Sequence, residues 1–188
     1  MKPRVQPAAP PGEVRASDSP EAHSEAAFQI AIRSLAARPY SVAELKQKLR
    51  LKRVSSKAID ETVTRLKKLG FLNDRKLAEQ YASSLARNRA FGRFRVEREL
   101  RARRLDPRTI EPALNAVFEE IDERALLERV LDKKIGSLRL PLTRARLASL
   151  LTGLRRRGFR TEDILRAVRG RPELTPVTED ADLEALEE

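Results

Sequence analysis

The chain has 188 residues and a formal net charge of +11; 36% of the residues are charged and 40% are hydrophobic. Cysteine is absent, which excludes disulfides, thiolate metal sites and cysteine nucleophiles, and the seven glycines and eight aromatic residues argue against a β-sandwich or barrel. No apolar run reaches the length of a membrane span, so we expect a cytoplasmic protein built of helices.

The N-terminal region is predicted to change from disorder to helix. Residues 1–25 contain five prolines and no helical spacing of apolar residues, so we predict a disordered leader. Phe28, Ile32 and Leu35 then follow at intervals of four and three, which places them on one face of a helix. Pro39 ends this helix because the residue before a proline is pushed out of the helical region.

Two further helices complete a first unit. Ser41 caps one of them, and Glu44 three positions later completes a capping box. Ser55 or Ser56 caps the next helix, which stops at Gly70. Together the three helices make a helix-turn-helix-like unit.

A second unit is predicted to follow with the same arrangement. Asn73 or Asp74 caps its first helix, and Asp106, with Pro107 at the first helical position, starts its last. Pro112 lies deep enough in that last helix to remove a backbone hydrogen bond, which predicts a kink or a late start.

A third unit and an acidic tail complete the chain. Asp122 is expected to cap the unit's first helix and Thr161 its last. Residues 173–188 hold seven acids and no base, a net charge of −7, and the leader contributes −1, so the residues between them carry +19. We expect such a basic body to bind nucleic acid, and the tail to shield it.

One apolar register recurs three times and defines the repeat. Its copies start 51 and 54 residues apart, a period in the range of helical repeat arrays. We therefore predict an all-α fold, an extended and curved array of three tandem three-helix repeats. The predicted segments are the leader 1–25, the repeats 26–70, 71–121 and 122–170, and the tail 171–188. The register comprises Leu45, Leu49, Val54, Ile59, Val63 and Leu66; Val96, Leu100, Leu105, Ile110, Leu114 and Val117; and Leu150, Leu154, Phe159, Ile164 and Val168.

Basic residues follow the same register. In each copy, two residues after the second apolar position of the register are basic: the residue that follows it directly, and the residue two further on. One explanation is that these positions end a helix, where a cation offsets the macrodipole by about 0.3 to 1 kcal/mol. The alternative is that the helix ends present basic rows to a long polyanionic partner. The positions are Arg50, Arg101 and Arg155, and Lys52, Arg103 and Arg157.

The helix of the middle register is predicted to carry an outward fan of arginines. Successive residues of a helix are rotated by 100° about its axis, so Val96 and Leu100 lie on one side and form its apolar stripe. Arg95, Arg98 and Arg101 then fall on the opposite side. We interpret this fan as the surface that meets an anionic partner.

An aromatic residue, Phe94, falls within the arginine fan. Its ring could stack on a base, which contributes about 1 to 3 kcal/mol; alternatively, Phe94 or the nearby Phe91 staples the helix start onto the previous helix. The candidate contacts with nucleic acid or a nucleoprotein filament are Arg50, Arg93, Arg95, Arg98, Arg101, Arg155, Arg156, Arg157 and Phe94.

Motifs that carry catalysis are missing from the sequence. It contains no Gly-rich phosphate loop, HExxH motif or nucleophile elbow. The neighbouring carboxylates Asp60 and Glu61, and likewise Asp122 and Glu123, fall on helix starts, where they cap the helix or offset its dipole. His23, the single histidine, lies in the leader. We therefore expect a binding protein that is not an enzyme and needs no cofactor or metal.

Four segments, SVAELKQKL, LNDRKLAEQY, GRFRVEREL and LLTGLRRRGFRTEDILRAV, together resemble the RecX family of recombination regulators. The resemblance covers roughly residues 26–170. The chain departs from the family pattern at Leu77, where the family commonly has an aromatic residue. It departs again at Arg53 and Arg104, where the family pattern has a glycine that Gly158 retains.

The resemblance implies three-helix repeats that bind the RecA recombinase and its filament on single-stranded DNA. Such proteins usually limit filament growth or promote filament disassembly, and they lower ATP hydrolysis, strand exchange and coprotease activity. We accordingly expect a monomeric regulator of recombination and DNA repair whose partners are RecA and single-stranded DNA, with duplex DNA as an alternative. The family pattern itself does not specify the contact residues.

Two other functions compete with this hypothesis. Residues 41–72 alone are compatible with the helix-turn-helix part of a winged, sequence-specific transcriptional regulator. Against it, no alternating strand pair follows to form a wing, and the unit recurs twice. A helical scaffold for protein partners would instead bind DNA weakly and without a steep salt dependence.

Overall fold

The computed structural model describes residues 20–140 and 142–175, and within these ranges the regular structure is entirely helical. The all-α prediction is confirmed. A 3₁₀ turn, Pro172–Leu174, follows the last α-helix. The α-helices are α1 (Pro20–Ala37), α2 (Val42–Leu51), α3 (Ser56–Lys68), α4 (Asp74–Arg89), α5 (Arg93–Ala102), α6 (Pro107–Glu120), α7 (Glu123–Ile135), α8 (Arg144–Arg156) and α9 (Thr161–Arg169).

The chain divides into two compact units. The first contains the described residues up to Pro39 together with Leu45–Leu72, and buried side chains of α1, α2 and α3 form its core. The second contains Tyr40–Glu44 and the described residues from Asn73 onward. Most of the basic residues considered below belong to this second unit.

Helix α1 differs from its prediction at its start and on its buried face. It begins at Pro20, so residues 20–25 belong to the helix and not to the leader. Ile32 and Leu35 are only half-buried. The face that packs is made mainly of small side chains, which a search for large apolar residues passes over. Its buried members are Ala27, Phe28, Ala31 and Ser34.

Two hydrophobic cores lie within the second unit. Side chains of α4, α5 and α6 form one, and side chains of α7, α8 and α9 form the other. Ile121, between α6 and α7, packs against both. The apolar register predicted from the sequence is buried in these cores and in that of the first unit, except that Val54 and Val168 are half-buried.

The segment directly after α9, which the sequence assigned to the tail from residue 171, is folded as far as the 3₁₀ turn. Leu174 is 1% exposed and packs in the core of α7, α8 and α9. Arg171 pairs with Asp132 at 2.6 Å and with Glu128 at 2.8 Å, and these bonds raise the pKa of its guanidinium. Residues 176–188, like the leader residues 1–19, lie outside the described residues.

Most of the predicted N-caps are confirmed. In the capping box, the Ser41 amide donates to the Glu44 carboxylate at 2.9 Å, and the Glu44 amide donates to the Ser41 hydroxyl at 3.1 Å. Thr161 is not a cap, because α9 begins at this residue after Arg160, whose side chain makes no capping bond. Helix α6 runs through Pro112 without a late start. The other confirmed caps are Ser55, Asn73, Asp106 and Asp122.

The turn that follows the second helix of each repeat contains one left-handed residue. The angle φ is +59° at Arg53, +57° at Arg104 and +91° at Gly158. In the middle copy, the Leu105 amide donates to the Leu100 carbonyl, as in a Schellman motif. Glycine adopts this conformation freely, whereas an L-residue pays about 1 to 2 kcal/mol. The two arginines that replace the expected glycine therefore hold strain.

The start of α5 is completed by the end of α8. The N-cap Gly92 has no side chain, and its amide donates to the Arg157 carbonyl at 2.8 Å. The Phe94 amide donates to the Gly158 carbonyl at 3.2 Å. A Cβ at Gly158 would lie 2.1 Å from the Arg95 nitrogen, so only glycine fits this approach. We call this contact the helix-end joint.

A carboxylate from the first helix of the following repeat also binds an amide at a helix start. The Arg93 amide, first in α5, donates to the Glu123 carboxylate at 2.8 Å. Likewise, the Val42 amide, first in α2, donates to the Asp74 carboxylate at 2.8 Å. Glu123 and Asp74 are themselves the first residues of α7 and α4. The recurrence of this bond shows the repeat at the level of single atoms.

The end of α5 makes a related contact with the residues that begin α2. The Ser41 hydroxyl donates to the Arg103 carbonyl at 2.7 Å. The Arg103 guanidinium donates to the Glu44 carboxylate at 2.9 Å and lies 5.0 Å from the centre of the Tyr81 ring. Arg103 and Arg157 occupy the same register position, and both carbonyls accept a bond from the start of another helix.

Replacing Arg104 with glycine is expected to stabilise the protein. The substitution relieves the strain of the left-handed conformation. Glycine also makes the unfolded chain more flexible, which costs less, so the free energy of unfolding should rise by about 1 kcal/mol. Arg98→Gly is the matched control, because it places the same residue change inside α5 and should cost about 1 kcal/mol. Urea unfolding followed by circular dichroism measures both; a loss of stability in Arg104→Gly would contradict the argument.

Gly158→Ala should destabilise the protein much more than Gly70→Ala. Both glycines have positive φ, but an added Cβ at Gly70 meets nothing within 4 Å. We expect a loss of about 1 to 2 kcal/mol for Gly70→Ala from strain alone, and about 3 kcal/mol or more for Gly158→Ala, where overpacking adds to it. Equal losses in urea unfolding would show that the close approach at the helix-end joint is absent.

Candidate nucleic-acid interface

The outer face of α5 carries two exposed arginines. Val96 and Leu100 are fully buried, and Arg98 and Arg101 lie on the side of the helix away from them, as the helical spacing predicts. Arg101 donates to the Glu97 carboxylate at 2.5 Å but keeps 65% of its side chain exposed. Arg98 forms no ion pair with any described residue. Both guanidinium groups are therefore accessible to a phosphate.

Arg95 does not belong to this exposed fan, contrary to the prediction. Its side chain is 33% exposed, pairs with the Glu99 carboxylate at 2.6 Å and lies 5.2 Å from the centre of the Phe91 ring. Its Nε is buried without a hydrogen-bond partner among the described residues. The helix-end joint causes this, because it places the first turn of α5 against Gly158. Phe91 is correspondingly half-buried and packs in the core of the second repeat.

The other two predicted residues at the start of α5 have different environments. Arg93 is half-buried, and its guanidinium donates to the Asn115 side-chain oxygen at 2.5 Å. Phe94 is 51% exposed, and the Arg160 guanidinium lies 5.8 Å from the centre of its ring. Phe94 is thus accessible for stacking and does not act as a buried staple.

The end of α8 adds further cations to the second unit. Arg155 and Arg156 are exposed and form no ion pairs within the described part of the chain. Arg157 is half-buried, and its guanidinium donates to the Arg89 carbonyl at 3.0 Å. Arg50 lies in the last turn of α2 and is also exposed. The first basic position of the register, Arg50, Arg101 and Arg155, is thus exposed in all three copies. The second position makes structural contacts at Arg103 and Arg157.

Arg160, which was not predicted as a contact residue, lies beside Phe94. It is exposed and precedes the first residue of α9. The run of arginines after Leu154 was visible in the sequence, but the contact depends on the helix-end joint. A local reading of helix spacing could not place residues of α8 and α9 next to α5.

Several carboxylates form ion pairs in this fold. The Asp60 carboxylate accepts a bond from Lys46 at 2.7 Å, and this bond lowers the pKa of Asp60. Within the part of the chain that the structure describes, no group of three or more His, Cys, Asp or Glu side chains could hold a metal ion. None of the helices in that part is long and apolar enough to span a bilayer.

Comparison with known proteins identifies the family. Residues 27–66 match the family model for the first three-helix domain of RecX, and residues 73–114 match the model for its second three-helix domain. The regulatory protein RecX of Pelodictyon phaeoclathratiforme is 31% identical over 76% of this chain and 87% of its own length. RecX of Deinococcus radiodurans is 31% identical over 95% of this chain and 87% of its own.

The fold is also that of solved RecX structures. The crystal structure of RecX from Lactobacillus salivarius superposes with a TM-score of 0.69 over 79% of this chain and 96% of its own, at 18% identity. At that identity the similarity concerns the fold alone. The sequence relationships, together with the tandem three-helix arrangement, show that this chain belongs to the RecX family of regulatory proteins.

Proposed function

We propose that this protein regulates homologous recombination and DNA repair by binding the RecA recombinase and its filament on single-stranded DNA. In this role it limits filament growth and lowers the ATPase, strand-exchange and coprotease activities of the filament. The observation that carries the proposal is membership of the RecX family, established over most of the chain. The exposed cations of the second unit supply a surface with the required charge.

The proposed contact with DNA rests on exposed guanidinium groups. Arg98 and Arg101 on α5, with Arg155 and Arg156 on α8, lie outside the cores and keep their charge accessible. Each phosphate that such a group neutralises releases counterions, so binding weakens steeply as salt rises. Phe94 offers a ring on which a base can stack.

The first test measures ATP hydrolysis by RecA on single-stranded DNA with and without this protein. We expect a dose-dependent decrease in the rate, because fewer or shorter filaments hydrolyse less ATP. A sequence-specific transcriptional regulator or a plain scaffold would leave the rate unchanged. An unchanged rate over a range of protein concentrations would therefore refute the proposed function.

The second test neutralises the outer face of α5. In the double variant Arg98→Gln, Arg101→Gln, the protein concentration needed for half-maximal inhibition of the RecA ATPase should rise about tenfold or more, because two phosphate contacts are lost. Arg75→Gln with Arg169→Gln is the control, since it removes the same charge from exposed positions on α4 and α9. Circular dichroism should show unchanged folding in both variants. Equal inhibition by the two would exclude the α5 face as the contact.

A further inference from the structure

A second concentration of positive charge surrounds a cleft on another part of the second unit. The cleft has a volume of about 570 Å³ and lies among the ends of α4, α7 and α8. Ala90 and Val130 contribute an apolar floor. We call this space the basic cleft; its charged lining consists of Arg87, Arg89, Arg129, Lys133, Lys134 and Arg157.

None of the described residues that line the basic cleft is acidic, so none of them balances these cations. Arg87 pairs with Glu120, which lies outside the lining, at 2.8 Å, and Arg157 donates to a backbone carbonyl. The other four basic side chains are exposed and form no ion pairs with described residues. Among the described residues, the lining therefore holds a surplus of at least four positive charges.

Helix dipoles explain only part of this arrangement. Arg87 and Arg89 lie in the last turn of α4, and Lys133 and Lys134 in the last turn of α7, where each offsets the dipole by about 0.3 to 1 kcal/mol. That effect does not require the two helix ends to face one space. A volume of 570 Å³ is about 8 Å across, comparable to the Debye length at physiological salt, so the cations repel one another.

A flexible polyanion would relieve this repulsion. The rim suits phosphate groups, and the apolar floor suits the sugar carbons between them. The described residues of the lining include no aromatic side chain on which a base could stack, so binding here should tolerate any sequence. A single strand suits the site better than a duplex, because its flexible backbone can bend to follow the cations.

We propose that the basic cleft binds the phosphodiester backbone of single-stranded DNA, as a contact separate from the outer face of α5. The inference takes the identity of the polyanion from the proposed function. It concerns binding of DNA by this protein alone, so it can be tested without the recombinase.

The test uses Lys133→Gln combined with Lys134→Gln in the full-length chain. The probe is a fluorescein-labelled oligonucleotide of thirty thymidines, and anisotropy gives its affinity as a function of salt. For two lost phosphate contacts, the slope of log affinity against log salt should fall by about 1.4. The affinity at low salt should fall at least about fivefold.

The matched control is Arg75→Gln combined with Arg124→Gln. Arg75 and Arg124 are exposed and lie at the starts of α4 and α7, whereas the cleft lies at the ends of these helices. Their substitution removes the same charge as the cleft variant. We expect this control to keep the wild-type slope. If both double variants show the same slope and affinity, or if inorganic triphosphate at equal phosphate concentration competes as well as unlabelled oligonucleotide, the proposal is overturned.

The outcome is distinguishable from failure of the proposed function. If the wild-type protein leaves the RecA ATPase unchanged, the filament proposal fails whatever the cleft variants do. If the wild-type protein inhibits the ATPase and the cleft variants bind DNA normally, only the basic cleft is excluded. Unchanged circular dichroism of both double variants shows that the comparison is between folded proteins.

Discussion

The second unit depends on one constraint, the need of α5 for hydrogen-bond acceptors at its first turn. A helix start exposes amides without partners inside the helix, and Gly92 has no side chain to accept from them. The Gly158 carbonyl and the Glu123 carboxylate accept from the first two amides instead. The second repeat therefore completes one of its helices with groups of the third, and the position of α5 follows from this.

The same constraint explains part of the basic periodicity. Arg103 and Arg157 stand at one register position, and each carbonyl accepts a bond from the start of another helix. Their side chains are also engaged, with Glu44 in one case and with the Arg89 carbonyl in the other. Arg101 and Arg155, two positions earlier, are exposed. Thus one basic row belongs to the architecture at two of its three positions, and the other row is exposed and available to a partner.

Much of the fold could be predicted because its determinants are local. Burial of the apolar register, five caps and the capping box depend on residues within a few positions of each other. The start of α1 and the burial of Leu174 were missed, since an alanine face and a single apolar residue after a proline give weak patterns. In the candidate site, helix spacing placed Arg98 and Arg101 correctly. It failed for Arg95, whose surroundings are set by Gly158, sixty-three positions away.

The bonds that join α8 to α5 also link the folding of the two repeats. In repeat proteins, stability is approximately a sum of terms for each repeat and for each interface with its neighbour. Here the interface term includes backbone amides that have no other acceptor among the described residues, so melting of the third repeat would leave the first turn of α5 exposed and frayed. The second and third repeats should accordingly melt as a single cooperative block, although each has its own core.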